Sequence, residues 1–361
     1  PVCCLIFDMA SPLSRRRFLG SAALAGAALS VPTAAATPLA PVARPLDAVK
    51  PKRLREGDTI ALISPAGIVR ESQVERAQNR LGALGLNAVV GEHALARYGY
   101  LAGTDTQRAA DVNAAFADPQ VDGILALRGG WGCARMLPYV DWSIIRDNPK
   151  ALIGYSDLTS LLLAIYARTG LIGFHGPTGI SNFSPFTVAS LRAAAFQTKP
   201  TPLAPNTALI GEETMQPETI RPGTARGRLV GGNLSVLAAL AGTPWLPSFE
   251  GHILFLEDIG EDVYRVDRMM TQIAQAGLLD GLTGFVFGSC RGCGNDVDSV
   301  GTFTFEEIVR QHIEPLGIPA ILGAPIGHIT DKLTMPIGAM AELNASTGEI
   351  SLTEAAVKER E

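Results

Sequence analysis

The stretch LIGYSDLTSLLLAIYARTG, residues 152 to 170, decides how this chain is read. An apolar run ends at Gly154-Tyr155-Ser156-Asp157, and a second apolar run with helical spacing begins at once. A strand that turns directly into a helix is the joint of a parallel α/β sheet, where ligands sit beyond the carboxyl ends of the strands. Ser156 stands on that joint. The first amides of the helix, beginning with that of Asp157, are unpaired donors at the positive end of its dipole, where an oxyanion would be stabilised. Ser156 also reads as a plain N-cap, because serine is among the best caps. The segment departs from the G-x-S-x-G elbow of the α/β-hydrolases, since Leu158 stands at the last position.

The same alternation extends in both directions. Upstream, GDTIALISPAG predicts a buried strand entering a loop, and VRESQVERAQNRLGALG places Val69, Val74, Ala77, Leu81 and Leu84 on one helical stripe. NAVVGEH, VDGILALRGG, ALIGYS and LIGFHG read as buried strands, with helices in TQRAADVNAAFADP, CARMLPYVD and DLTSLLLAIYARTG. Short apolar strands alternating with amphipathic helices imply a parallel sheet covered on both faces. From Thr198 to about Gly227 proline is scattered and no period is sustained, which suits an inter-domain crossing. Beyond it come the strand HILFLED, a helix in YRVDRMMTQIAQAG, the strand GFVFGS, a helix in TFEEIVRQHIEPLG and a strand towards PIGH. A terminal hairpin turns at Ser346-Thr347-Gly348. The expected fold is α/β. A parallel-sheet domain over 53–200 carries Ser156, a linker spans 201–226, and a smaller α/β domain over 227–361 ends in the β-hairpin.

The chain has 361 residues, 47% apolar and 18% charged, with a formal net charge of −5. That length buries a sizeable core without metal or disulfide staples. No Lys/Arg cluster occurs beyond the N-terminus, which argues against nucleic acid as a partner. Near the N-terminus, SRRRFLGSAALAGAALSVPTAAATP combines a basic region, an apolar region and a small-residue cleavage site. Ser14-Arg15-Arg16-Arg17-Phe18-Leu19 resembles a twin-arginine export signal, and Ala34-Ala35-Ala36 offers a cut before Thr37. The apolar run from Phe18 to Val31 is short for a bilayer span. These features predict a signal over 1–36, a lead over 37–52, and a periplasmic protein with no stable membrane anchor. Met9 is a candidate start. Cys3 and Cys4 precede it, whereas Cys290 and Cys293 form a C-x-x-C with no second Cys or His pair to complete a zinc site. They read as loop residues or a disulfide rather than as a metal or redox centre.

A serine nucleophile needs a base, and the base needs an orienting acid. His93 and His252 fall at strand edges and His312 in a charged helix, while His175 and His328 end strands next to Gly and Pro. His328, in GAPIGHITDKLTMPIG, lies at the end expected to face a cleft. Glu257 follows an apolar run directly, which is hard to explain as a solvated face, although Arg265 or Arg268 could simply pair with it. ILALRGGWGCAR superficially resembles a dinucleotide fingerprint through Gly130 and Gly132, but Arg135 occupies the third glycine position and no acid follows at the needed distance. RLVGGNLSVLAALAG lacks the fingerprint too, so Gly231-Gly232-Asn233 is read as shaping a turn near the cleft.

Taken in order, ISPAG, RGGWG, LIGYSDLT, GFHGP, VGGNLSVL, LFLEDIGEDVYRVDRM and PIGH…MPIG resemble the LD-carboxypeptidase family of serine peptidases over roughly Arg53 to Glu354. The resemblance implies a triad of Ser156 as nucleophile, His328 as general base and Glu257 as its orienting acid, assembled across the interface between the two domains. It also implies an oxyanion hole from the backbone of Gly130 and Asp157, and no metal or organic cofactor. The implied reaction is hydrolysis of an amide between an L-centre and a terminal D-amino acid, as in release of D-Ala from peptidoglycan tetrapeptides. The expected partners are a muropeptide or peptidoglycan tetrapeptide and a second copy of the chain as a homodimer. A carboxypeptidase must also hold the substrate's free carboxylate; Arg128, Arg265 and Lys332 are candidates from position, each equally readable as a surface or inter-domain pair. His175 in GFHGP is read as pocket-lining or as a structural hydrogen-bonder. Export departs from the many members that act in the cytoplasm. One alternative substrate is a peptidyl-nucleotide antibiotic; a non-catalytic periplasmic solute-binding protein is the alternative from another class.

Overall fold

The computed structural model describes residues 47–204, 207–211, 216–294 and 302–360. The export signal, its cleavage site, Cys3 and Cys4 lie outside them. In the N-terminal half each short apolar run becomes a strand: β1 (Thr59–Ile63), β2 (Asn87–Val90), β3 (Gly123–Ala126), β4 (Ala151–Gly154) and β5 (Gly173–His175). Between and after them lie α1 (Glu71–Ala83), α2 (Asp105–Ala117), α3 (Cys133–Met136), α4 (Trp142–Asp147), α5 (Leu158–Thr169) and α6 (Pro185–Ala195). Starts are chemically marked: Thr104 and Gln107 form a capping box on α2, and Ser184 caps α6 ahead of Pro185. The five strands are parallel in the order β2-β1-β3-β4-β5. The order reverses direction between β1 and β3, the crevice where doubly wound sheets place ligands.

Two expectations need correction. NAVVGEH was expected as a buried strand, yet β2 is the sheet edge, with Val89 and Val90 at 44% and 40% exposure. Its valines satisfy strand propensity without being covered, because no element packs beyond it among the described residues. The crossing after Thr198 is not wholly irregular either. It contains β6 (Glu218–Arg221), which Pro217 and Pro222 bracket.

The second sheet holds β7 (Thr224–Asn233), β8 (His252–Ile259), β9 (Gly284–Arg291), β10 (Ala320–Leu322), β12 (Met340–Asn344) and β13 (Glu349–Leu352), in the order β13-β12-β7-β8-β9-β10-β6. Its central four strands run parallel. The helices α7 (Leu234–Leu240), α8 (Val263–Gln275) and α9 (Phe305–Ile313) belong to this half, and α9 starts at a capping box of Thr304 and Glu307. The strand β11 (Met335–Ile337) leaves this half altogether and pairs antiparallel with β5, completing the first sheet.

The helix α5 explains the unbroken apolar character of the opening stretch. All of its residues except Ala167 and Arg168 are buried, because it is wedged between the sheets rather than lying on a solvated face. Thr159 Oγ1 accepts the amide of Asn233 at the end of β7 (2.9 Å), and Tyr166 Oη lies 3.1 Å from His252 Nε2 at the start of β8. Among the described residues no helix is long and apolar enough to cross a membrane.

β7 approaches β8 closely at Gly231, whose φ is +143° and where a Cβ would fall 1.8 Å from the Phe255 carbonyl oxygen. Backbone on both strands would have to move to admit it. We therefore expect Gly231→Ala to destabilise the fold by about 3 kcal/mol or more, read as a lowered midpoint in denaturant; an unchanged midpoint would refute the close approach.

Candidate active site

The turn after β4 sets the geometry. A Cβ on Gly154 would lie 2.8 Å from Leu158 Cγ, so glycine is what lets α5 fold back directly from the strand. Ser156 then takes φ +67°, the single positive φ outside glycine among the described residues. Such a conformation costs roughly 1–3 kcal/mol and persists where its surroundings enforce it. The N-cap of α5 is Asp157 and not Ser156, and no side chain caps the helix. The plain N-cap reading of Ser156 is thus overturned: its hydroxyl turns away from the helix and lies 3.2 Å from His328 Nε2.

His328 Nδ1 is 2.7 Å from Glu257 Oε2. A carboxylate only accepts, so Nδ1 carries the hydrogen and the Nε2 lone pair faces the serine hydroxyl. Glu257 is fully buried, at 0% exposure, near the carboxyl end of β8. The β8–β9 register slips between Leu256 and Asp258, where the step from Leu256 to Asp258 faces the longer step from Phe287 to Cys290, so β9 bulges opposite Glu257. Gly327 completes the approach: its φ is +104°, and a Cβ there would fall 2.3 Å from Glu257 Oε2. Burial alone would raise the Glu257 pKa, but the imidazoles of His175 and His328 bring it down to about 2. The group is a carboxylate across the physiological range.

Against Ser156 lies the turn of RGGWG. A Cβ on Gly129 would meet Ser156 Oγ at 2.9 Å and the Asp157 nitrogen at 3.2 Å. Asp157 Oδ2 accepts the Cys133 amide (2.8 Å), tying this turn to the start of α5. Burial pushes the Asp157 pKa up, and hydrogen bonds from Cys133 oppose it. Among the described residues neither the Gly130 nor the Asp157 amide donates to a protein acceptor. The site therefore combines a hydroxyl, a base with a buried acid behind it, and free amides beside them, the requirements for acyl transfer.

The other sequence-predicted residues are placed unevenly. Lys332 is buried, with Nζ 5.1 Å from the centre of the Tyr155 ring, and that ring lies 4.8 Å from the His328 ring. Burial lowers the Lys332 pKa to about 8, against the charges of Glu257 and Asp331. Arg128 donates from Nη1 to the Ile68 carbonyl (3.0 Å) beside the RGGWG turn. Arg265 is exposed on α8, drawn to Asp262 (3.3 Å) and Glu261 (3.8 Å), and makes none of its contacts with Ser156, Glu257 or His328. His175 is buried and faces the second oxygen of Glu257. Cys290 and Cys293 form a disulfide at the end of β9. A cavity of about 380 Å³ between β2 and α2 includes none of Ser156, Glu257 and His328 in its lining.

Sequence reasoning missed Tyr155, Gly327 and the support behind Glu257. Asp258 accepts from Asn233 Nδ2 (2.9 Å) and from the Ser235 amide (2.8 Å), fastening β8 to the start of α7. Burial, aided by the neighbouring Glu257 charge, raises the Asp258 pKa to about 6. The signal for this network was the Asn-Leu-Ser of VGGNLSVL, in which Asn233 caps α7.

Residues 60–176 match the model of the LD-carboxypeptidase N-terminal domain, and residues 226–343 match that of its C-terminal domain. The chain is 36% identical to a probable murein peptide carboxypeptidase of Bacillus subtilis, over 86% of this chain and 96% of that protein. It is 33% identical to the murein tetrapeptide carboxypeptidase of Pseudomonas aeruginosa, over 80% of this chain and 93% of that one. Among solved structures, the muramoyltetrapeptide carboxypeptidase of Oxalobacter formigenes superposes with a TM-score of 0.70 at 30% identity, covering 81% of this chain and 97% of its own. MccF in complex with glutamyl sulfamoyl guanosine superposes with a TM-score of 0.77 at 25% identity, covering 86% and 99%. With both halves of the family matched in order and relatives aligned along nearly their whole length, the chain belongs to the LD-carboxypeptidase family and is a carboxypeptidase.

Proposed function

We propose that this carboxypeptidase releases the terminal D-alanine from peptidoglycan tetrapeptides, with Ser156 as nucleophile, His328 as general base and Glu257 as the acid that orients it. The observation that carries the reading is the hydrogen-bonded chain from Ser156 through His328 to a buried carboxylate, at 3.2 and 2.7 Å. The substrate class draws on the murein tetrapeptide carboxypeptidase of Pseudomonas aeruginosa and the muramoyltetrapeptide carboxypeptidase of Oxalobacter formigenes.

In this reading Ser156 Oγ attacks the carbonyl carbon of the L,D-amide as its proton passes to His328 Nε2. The tetrahedral oxyanion takes hydrogen bonds from the Gly130 and Asp157 amides. Collapse breaks the C–N bond, and the His328 proton goes to the departing D-alanine amine. Water, deprotonated by His328, then hydrolyses the acyl-enzyme and restores the serine. Lys332 is assigned to the substrate's terminal carboxylate, since its buried ammonium has no carboxylate within ion-pair distance among the described residues and packs on Tyr155, the ring that also contacts His328. Arg128, beside the Gly130 turn, is the second cation within reach of a peptide entering there.

A second reading has support in the likeness to MccF: cleavage of a peptidyl nucleotide. Parallel assays with L-Ala-γ-D-Glu-meso-diaminopimelyl-D-Ala and with an aminoacyl sulfamoyl nucleoside separate the two. Export through the twin-arginine route, proposed from Ser14 to Leu19, is tested by replacing Arg15 and Arg16 with lysine and following the protein between cell fractions.

Ser156→Ala should lower kcat for D-alanine release by roughly 10⁴- to 10⁶-fold with an unchanged melting curve; near-normal turnover would remove Ser156 from the chemistry. Because Glu257 stays ionised down to about pH 2, the acid loss of rate should follow the protonation of His328, with Asp258, raised to about 6 behind Glu257, the other group titrating on that limb. A second acid inflection that persists in Asp258→Asn would contradict the assignment. On the basic side, Lys332 loses its charge as pH rises through about 8, so kcat/KM should fall there while kcat at saturation holds. Lys332→Met should lower kcat/KM by roughly 10- to 100-fold, mostly through KM, and remove the basic limb. A basic limb that survives this substitution would assign it elsewhere.

A further inference from the structure

Two buried polar atoms, Glu257 Oε1 and His175 Nε2, have no hydrogen-bond partner among the described residues, and they face each other at 3.7 Å. With exposures of 0% and 1%, neither side chain can turn to water. A carboxylate offers only lone pairs, so the His175 tautomer compatible with it carries hydrogen on Nε2. The direction of the ring is fixed from both halves of the fold. His175 ends β5, where its backbone pairs with Gly154 on one side and Met335 of β11 on the other. Its ring packs edge-on against Phe255 of β8 at 5.4 Å and Tyr155 at 6.0 Å.

We propose that His175 is a positioning residue for the triad: its Nε2–H grips Glu257 Oε1 while His328 Nδ1–H takes Oε2, so the carboxylate is held at both oxygens. The inference rests on the Ser-His-Glu reading above. Contacts of this kind are long in a resting site and tighten as charge develops. Held at one oxygen only, the carboxylate could swing about its last torsion and let the His328 ring drift from Ser156. His175 touches neither the serine hydroxyl nor the His328 ring, and acts through Glu257.

The groups facing this pair come from several elements. Asp258 is next along β8 and tied to Asn233 and Ser235; Lys332 and Tyr155, packed on each other, both feel the Glu257 charge; His328 holds the other oxygen. Among the described residues His175 alone brings a donor to Oε1. Taking that donor away leaves Oε1 bare and the carboxylate more basic, which favours the His328 imidazolium. The acid inflection of kcat/KM then moves to higher pH.

The test compares His175→Gln, whose amide nitrogen reaches the Nε2 position, with His175→Asn, whose amide stops near Nδ1. The asparagine variant should lose roughly 10- to 100-fold in kcat with little change in KM, and its acid inflection should rise. The glutamine variant should keep most of the rate and the wild-type profile. The same displacement is read without substrate by following the His328 proton resonances against pH in Ser156→Ala protein carrying each change. That measurement decides the His175 role even if the D-alanine assay gives nothing. Equal rates for the two variants with an unmoved His328 titration would overturn the proposal. Should the asparagine variant not fold, glutamine decides alone: near-wild-type rate and titration support the donor role, and a tenfold loss of kcat overturns it.

Discussion

A carboxylate shut off from water keeps its charge only where protein donors replace the lost hydration. Glu257 has such a donor in His328, 2.7 Å from one oxygen, and a second imidazole, that of His175, 3.7 Å from the other and short of a hydrogen bond; together these imidazoles outweigh the burial that would otherwise neutralise it. Much of the local architecture follows from this one buried charge. The neighbouring strand β9 bulges opposite Glu257, Gly327 gives up its Cβ so the loop can pass within reach, and Asp258 anchors the strand end to α7. Protonating Glu257 would remove the acceptor that fixes the His328 tautomer. Its depressed pKa therefore contributes stability that is fully present above about pH 4.5 and fades as pH falls towards about 2.

Ser156, the nucleophile proposed above, depends on a different constraint, its strained turn. A serine with φ +67° is held there by what surrounds it: Gly154 lets α5 fold back, the RGGWG turn presses on Ser156, and Asp157 binds that turn through Cys133. The strain turns the hydroxyl out of the capping position and leaves the Asp157 amide without an acceptor. One backbone conformation thus supplies both the orientation of the hydroxyl and half of the polar pocket beside it.

The parallel sheet of the N-terminal half was legible because its period is carried by local apolar runs: GILA and ALIG are buried at every position, as a central strand requires. NAVV has the same composition and lies on an edge, a distinction set by neighbours that no local pattern encodes. MPIG was not separable from a loop, since β11 is short, contains Pro336, and pairs with a strand some 160 residues away in sequence, an order-of-magnitude separation beyond any local signal. Ser156, Glu257 and His328 could each be singled out because an odd residue type ended an apolar run. That same local view made a cap the natural reading of Ser156, since positive φ at a serine leaves no trace in composition. Arg265 shows the converse. Its position after β8 suggested the cleft, but Glu261 and Asp262, four and three residues before it, hold the guanidinium on its own helix.

The two halves contribute unequal parts to the proposed triad, so the 3.2 Å approach of His328 to Ser156 depends on how the sheets are joined. A solute-binding protein joins its lobes by a few hinge residues and closes around the ligand. Here the joint is stitched along its length. The strand β11 comes from the C-terminal half and is hydrogen-bonded into the first sheet, and α5 lies between the sheets with Thr159 on Asn233 and Tyr166 on His252. Arg168 stacks on Trp245 at 4.9 Å near the far end of the same helix. Opening such a joint would break strand pairing and expose buried apolar surface together, where a hinge breaks neither. The geometry is that of a pre-assembled site, in which the reacting groups stand at working distance before a substrate arrives and reorganisation adds little to the barrier.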